Sequence, residues 1–394
     1  MHERGHIGVG LISAGWMGRL HSRAYRAVST HFPDIGAHPH LVAAADPDER
    51  GRAHARDVLG YDTAVSDYRE VLADPAVDVV SICSPNFLHH EMALAAVAAG
   101  KPFWIEKPMG RSLAESREIA EAADAAGLVT SVGFNYRHAP AVARARELVR
   151  SGALGTITNV RVSFLADYSA DPLGVLTWRF LREKAGSGVM GDLLSHGVDL
   201  AQFVVGRIAA VSAAKETFIR RRPLASPGAV SHFASGSADA ETGEVENEDY
   251  AAVIGRFDSG AVGVFDASRV AVGARAEYRL EVYGTRGSIR WNFERLNELE
   301  HADSVHGYRR IMAEPGFGAF DRFQPGAGTS MGFDDFKTIE AALFLESVLT
   351  GRQLAPSAAD GWAAAAIVDA AEESVADGRW HDVPEVIATT TYDA

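Results

Sequence analysis

Cysteine occurs once in this chain of 394 residues, at Cys83. An intramolecular disulfide framework and a multi-cysteine zinc site are thereby excluded, and a small buried thiol in a reducing cytoplasm is expected. Long apolar runs are also missing, so no segment reaches bilayer-spanning length, and Met1 to His6 leads straight into a strand-like run without a secretory pattern. No membrane partner is expected. Clustered basic charge is equally scarce: the net charge is −14, and the one basic run is Arg220-Arg221-Arg222. That balance argues against nucleic acid or an anionic surface as a partner. The three arginines, beside Pro223, read as a solvated loop or a subunit edge. What remains, 47% hydrophobic and 23% charged residues, is the composition of a folded globular protein long enough for two domains.

The apolar run Ile7 to Ile12 followed by Ser13-Ala14-Gly15-Trp16-Met17-Gly18 reads as a buried strand, a tight turn and the start of a helix. Such a turn offers free N–H groups and a helix dipole to a pyrophosphate. The dinucleotide fingerprint G-x-G-x-x-G has Ser13 at its first glycine, while Gly15 and Gly18 keep the positions for backbone approach and helix–strand packing. The next strand, Leu41 to Asp46, ends in a carboxylate suited to a ribose 2′-OH. That charge repels a 2′-phosphate, so NAD is expected over NADP. Capping a helix from Asp48 to Leu59 is a second reading of Asp46, and both roles could need it.

From Ile7 to about Asn135, apolar strands alternate with alanine-rich helices that end near Gly100 and Gly127. This pattern predicts an α/β architecture, a doubly wound parallel sheet over residues 1–136. Ligands bind outside the carboxyl ends of such strands, so Ser84-Pro85-Asn86 and Glu106-Lys107-Pro108 are expected to border the same crevice as the glycine turn. Residues 137–394 change texture. A helix from Ala141 to Ser151 precedes strand-like segments at Ile157–Phe164, Ile208–Thr217, Ala251–Phe257, Ala261–Arg269 and Tyr278–Tyr283, predicting a largely antiparallel, open-faced sheet. Asp258-Ser259-Gly260 has the turn chemistry of a hairpin. Residues 225–248 and 314–332 read as long loops, either of them a lid or a subunit arm.

Gly186 to His196 is a glycine-rich lead into a helix on which Asp192 and His196, four apart, share a face. A neutral imidazole and a carboxylate so placed suit proton transfer in alcohol oxidation. An aspartate N-cap with a structural histidine would give the same spacing. A metal pair lacks a third ligand. Lys107, held by Pro108 at the end of a buried strand, could steady a developing alkoxide, or be a surface lysine paired with Glu106.

In these motifs, with His89, Gly100 and Gly133-Phe134-Asn135-Tyr136-Arg137, the chain resembles the Gfo/Idh/MocA oxidoreductases over nearly its whole length. The resemblance implies a Rossmann domain, an open-faced α/β domain for substrate binding and oligomerisation, NAD(P), a sugar or cyclic polyol substrate, and homodimers or homotetramers. It implies catalytic roles for Lys107, Asp192 and His196. Cofactor contacts would come from Ser13, Gly15, Trp16, Met17, Asp46, Ser84, Asn86, His89, Glu106 and Lys107. Thr177-Trp178-Arg179 resembles a subgroup acting on inositols, glucosides or anhydrosugars, in which Trp178 would stack on a ring and Arg179 touch ligand, unless both are interface packing. Tyr136 and Arg137 would line the pocket. The expected reaction oxidises a secondary ring hydroxyl to a ketone. Redox-neutral, NAD-dependent cleavage of a glycoside through a transient keto-sugar is the alternative enzyme class, and a non-catalytic cofactor-binding regulator the third.

Overall fold

The computed structural model describes residues 5–225 and 234–386. Six short strands form an all-parallel sheet: β1 (His6–Ile12), β2 (His38–Ala45), β3 (Thr63–Val65), β4 (Val79–Ile82), β5 (Phe103–Ile105) and β6 (Thr130–Val132), in the order β3-β2-β1-β4-β5-β6. Their residues are buried almost without alternation, as strands covered on both faces must be. The covering helices are α1 (Trp16–His31), α2 (Glu49–His54), α3 (Tyr68–Ala73), α4 (Asn86–Ala98) and α5 (Leu113–Ala125). After α2 the chain continues as a π-helical turn, Ala55–Leu59, so the expected single helix is split.

Helix α6 (Pro140–Arg150) leads into a nine-stranded sheet ordered β16-β15-β14-β13-β7-β12-β11-β8-β17. Its strands are β7 (Ile157–Leu165), β8 (Ile208–Glu216), β11 (Tyr250–Phe257), β12 (Val262–Ser268), β13 (Glu277–Gly284), β14 (Gly287–Asn292), β15 (Glu298–Asp303), β16 (Arg309–Met312) and β17 (His381–Asp382). All pairings are antiparallel except that of β12 with β7. The β11–β12 hairpin turns at the expected Asp258-Ser259-Gly260, with Gly260 at φ 87°. Helices α7 (Arg182–Ala185) and α8 (Ser195–Val204) lie between β7 and β8.

The expected loop at 225–248 is only partly so: β10 (Thr242–Glu244) pairs with β9 (Arg221–Pro223), and residues 226–233 lie outside the described residues. Residues 314–332 are irregular apart from one turn of 3₁₀ helix, Phe320–Arg322. Two long helices follow, α9 (Phe333–Thr350) and α10 (Ala358–Asp377), and both return to the first sheet. The Val132 N–H donates to the Pro356 carbonyl and the Ala358 N–H to Thr130 Oγ1, fastening the start of α10 to β6.

Candidate active site

The turn after β1 takes a left-handed first position despite its serine. Ser13 is at φ 78°, the one non-glycine residue at positive φ among the described residues. An L-residue there costs about 1–2 kcal/mol relative to a right-handed conformation. A Cβ on Gly18 would lie 2.1 Å from the Ser13 carbonyl oxygen, so this glycine is demanded by close packing, whereas one on Gly15 would meet only Ser13 Oγ, at 3.7 Å. The space before Gly15 is open. Helix α1 begins there with no side-chain cap and no acid in its first turn, leaving its N–H groups and dipole for an anion. Trp16 is 68% exposed beside this turn, stacked 6.3 Å from Phe333.

Asp46 closes the turn from the next strand: Oδ2 accepts the Ala14 N–H at 2.8 Å and Oδ1 the Asp48 N–H at 2.9 Å. It does not cap α2, which is capped by Asp48. At the end of β4, Ser84 Oγ is buried without a hydrogen-bond partner, which fits a polar ligand group in the crevice. Cys83, next to it, is free and only partly buried. Asn86 spends its amide on the Ala185 carbonyl, at 3.1 Å, tying α4 to α7.

Three residues expected at the crevice commit their side chains to partners within the protein. His89 is buried, with Nδ1 2.8 Å from the Pro108 carbonyl oxygen and Nε2 2.8 Å from that of Ser84, so its ring is wedged between two strand ends, and burial, which lowers its pKa, leaves one N–H to donate to one of them. The Glu106 carboxylate turns inward. It accepts from Lys337 Nζ at 2.6 Å and lies 2.9 Å from His21 Nε2, and Lys337 also donates to Glu340 at 2.9 Å. Burial raises the Glu106 pKa, but Lys337 and His21 outweigh it and hold the carboxyl ionised. Arg137, expected in the substrate pocket, is buried and paired with Asp199 and Asp360. Nor is the arginine run solvated throughout: Arg222 is fully buried, donating to the carbonyls of Ser169, at 2.5 Å, and Asp171, at 2.8 Å. It thereby pins the loop that follows β7.

Lys107 and Asp192 meet where the two sheets converge. Lys107 Nζ donates to Asp192 Oδ1 and to the Asp192 carbonyl, each at 2.8 Å. Tyr168, which the sequence reading passed over, donates its hydroxyl to Asp192 Oδ2 at 2.8 Å. Its position just past the end of β7, where the chain leaves the second sheet, was the available signal. Burial favours a neutral Asp192. The charges of Lys107 and Arg179, with the hydrogen bonds from Lys107 and Tyr168, overcome it and hold the carboxyl far below the usual carboxylate range. Burial also pushes the Tyr168 phenol well up, so it remains a donor.

Asp192 sits in a π-helical turn, Met190–Leu194, that runs directly into α8 and His196. The N-cap position is Val189, so the aspartate is not a cap. His196 is buried, with the Tyr136 ring edge-on at 4.8 Å and Phe134 edge-on at 6.0 Å. Burial, then the Lys107 charge, press its pKa well below 6.5. The imidazole is therefore neutral at pH 7 and able to accept a proton. The acidic limb of a kcat/KM profile is expected well below pH 6.5; a limb centred near 6.5 would contradict this environment. Trp178 is half-buried against Phe87, edge-on at 6.0 Å, and the Arg179 guanidinium lies 4.6 Å above the Trp178 ring.

An anion-ready turn at the end of one strand of a parallel sheet, with an ammonium–carboxylate pair and a neutral imidazole past the end of another, is the arrangement of a nucleotide-dependent dehydrogenase. Residues 7–134 match the oxidoreductase family with an NAD-binding Rossmann fold, and residues 142–290 match the GFO/IDH/MocA C-terminal domain. The chain is 38% identical over 390 residues to levoglucosan dehydrogenase of Pseudarthrobacter phenanthrenivorans, covering 97% of this chain and 100% of that one. It is 26% identical over 385 residues to myo-inositol 2-dehydrogenase of Thermotoga maritima, covering 96% and 99%. Among solved structures, levoglucosan dehydrogenase in complex with NADH and levoglucosan superposes with a TM-score of 0.90 at 37% identity, over 96% of this chain and 100% of that one. The chain belongs to the Gfo/Idh/MocA family and is an NAD-dependent oxidoreductase of its sugar dehydrogenase subgroup.

Proposed function

We propose that this protein oxidises a secondary ring hydroxyl of an anhydrosugar or related sugar to a ketone, with levoglucosan the first substrate to test. The single observation that carries the reading is the Lys107–Asp192–Tyr168 cluster beside a neutral His196, in a chain similar end to end to levoglucosan dehydrogenase. Ser13, Gly15, Trp16, Met17, Asp46 and Ser84 would hold NAD, which when bound supplies the hydride acceptor. His196 takes the hydroxyl proton, and its neutral state makes it a base. Lys107 steadies negative charge on the substrate oxygen. Asp192, ionised and held from both sides, fixes Lys107 and accepts from a sugar hydroxyl. Tyr136 sets the imidazole plane, while Trp178 and Arg179 border the sugar. The domain division falls at 136/137, and the single partly buried thiol suits a cytoplasmic enzyme.

We further propose a homodimer or homotetramer joined through the outer face of the large sheet. Ile254, 46% exposed, lies opposite Val264, 41% exposed, and Val262 beside them is 43% exposed. Contiguous apolar exposure of this kind marks association.

The test is a panel of levoglucosan, inositols, free aldoses and glycosides, each assayed with NAD and with NADP. One NADH per substrate consumed, with levoglucosan highest in kcat/KM and NAD preferred at least tenfold over NADP, is expected. Substrate loss without NADH would instead establish redox-neutral cleavage, and no turnover of any member would remove the substrate class. Asp46→Ala is expected to raise the KM for NAD at least tenfold with little change in kcat, because it removes a ribose acceptor and two backbone anchors of the turn.

A further inference from the structure

The helical segment that carries Asp192 and His196 begins without a cap of its own, since Val189 has no side chain able to accept a hydrogen bond. The first N–H groups of a helix need partners from outside it. Here they come from a residue 60 positions further along the chain. Glu248, 2% exposed, accepts the Gly188 N–H at 2.7 Å and the Met190 N–H at 3.0 Å on Oε1, and its backbone carbonyl accepts the Val189 N–H at 3.2 Å. Three successive N–H groups end on one residue. The approach is so close that a Cβ on Gly188 would lie 2.0 Å from the Glu248 carbonyl oxygen. Asn247 extends the clamp, its amide donating to the carbonyls of Arg179, at 2.8 Å, and Ser187, at 3.1 Å. On the far side, Glu248 Oε2 lies 3.9 Å from Lys215 Nζ, which is paired with Glu372.

We propose that Glu248 is a positioning residue for the oxidation, holding the π-helical turn Met190–Leu194 in the register that brings Asp192 to Lys107 and Tyr168. A π turn carries one more residue than an α turn and is locally less favourable, so it needs an external anchor. Charge-assisted acceptance by a buried carboxylate is a strong one. Without it the turn relaxes toward α geometry, where one residue of slip rotates a side chain about 100° around the axis. Asp192 then leaves Lys107, while His196, packed in α8 under Tyr136, keeps its place. The proposal rests on the catalytic reading of Lys107, Asp192 and His196.

The experiment compares Glu248→Ala, Glu248→Gln and Asp249→Asn in the full-length protein, with Lys107→Ala as reference. Asp249 is a control for destabilisation nearby: it is as buried as Glu248, but its carboxylate accepts from the Phe218 and Ile219 N–H groups and from Arg269, which also donates to Asn247, and it accepts nothing from the catalytic helix. Glu248→Ala is expected to keep NAD affinity within threefold, by fluorescence titration, and to lower kcat at least 30-fold. Glu248→Gln, whose amide carbonyl still accepts both N–H groups, should recover kcat to within fivefold. Asp249→Asn should lower the melting temperature with kcat within threefold. If Glu248→Ala does not fold, Glu248→Asp decides, since a carboxylate one methylene short of the N–H pair should lose at least tenfold in kcat. A folded Glu248→Ala or Glu248→Asp enzyme with kcat within threefold of the parent overturns the proposal, as does equal kcat loss in the Gln, Ala and Asp249→Asn variants. Loss of activity in Lys107→Ala beside such an active Glu248 variant overturns the Glu248 role alone. Unchanged turnover in Lys107→Ala overturns the catalytic reading and this proposal with it.

Discussion

Lys107→Ala is expected to lower kcat for the true substrate about 10³-fold while leaving NAD binding within a few fold of the parent; loss of a single donor to a developing oxyanion accounts for 10²–10³. The remainder follows from Asp192. The ammonium donates to both the carboxylate and the carbonyl of that residue, and its removal leaves Tyr168 alone to hold the side chain. The residual activity carries a second signature. Because the Lys107 charge helps to depress the pKa of His196, its loss raises that pKa. The variant therefore loses activity on acidification at a higher pH than the parent does. Lys107→Met, similar in length and uncharged, should behave alike, showing that charge rather than volume matters. A kcat within tenfold of the parent in either variant, or an acidic limb that does not move upward, would refute the role given to Lys107.

The parts of this molecule that were readable in advance are those whose cause is local. Apolar strands that alternate with alanine-rich helices report a doubly wound sheet, because parallel strands must be covered on both faces by the helices between them. Asp192 and His196 were readable as a pair because four-residue spacing suggests one helical segment, and the structure carries them on a π turn and the helix that directly follows it. Ser13 was a visible departure whose outcome depended on strain, and the turn tolerates a left-handed serine. What was missed is held by distant partners. Helix α9 escaped notice because apolar residues such as Phe336, Ile339, Phe344 and Leu345 bury more than one of its faces and blur the helical period. With it went Lys337, the partner that turns Glu106 away from the crevice. Arg137 likewise reads as a pocket cation until Asp199 and Asp360 are seen against it. A charged residue in a motif shows that a charge is needed there; only the fold shows which way it faces.

Lys337 is where that distinction has its largest consequence for stability. Its side chain is 1% exposed and lies between Glu106, 8% exposed, and Glu340, fully buried. Removing one member of a buried ion pair strands the others, at a cost of about 3–5 kcal/mol. Lys337→Met is therefore expected to lower the melting temperature by roughly 5–10 °C at pH 8, far more than a surface lysine would. The sign of the pH dependence follows from the two acids. Burial raises the pKa of Glu340, to about 7 even with Lys337 present, and the lysine acts to lower both carboxyl pKa values. Without it both folded-state values rise, and that of Glu340 moves further above its unfolded value. An acid whose folded pKa is raised contributes stability at low pH that is lost as pH climbs through the folded value. The deficit of Lys337→Met should thus be greatest at pH 8 and shrink toward pH 5, and Lys337→Met with Glu340→Gln should recover part of it at pH 8 by removing one stranded charge. A melting temperature within about 2 °C of the parent at pH 8, or a deficit that grows on acidification, would show that Glu106 does not depend on Lys337 for its ionised state.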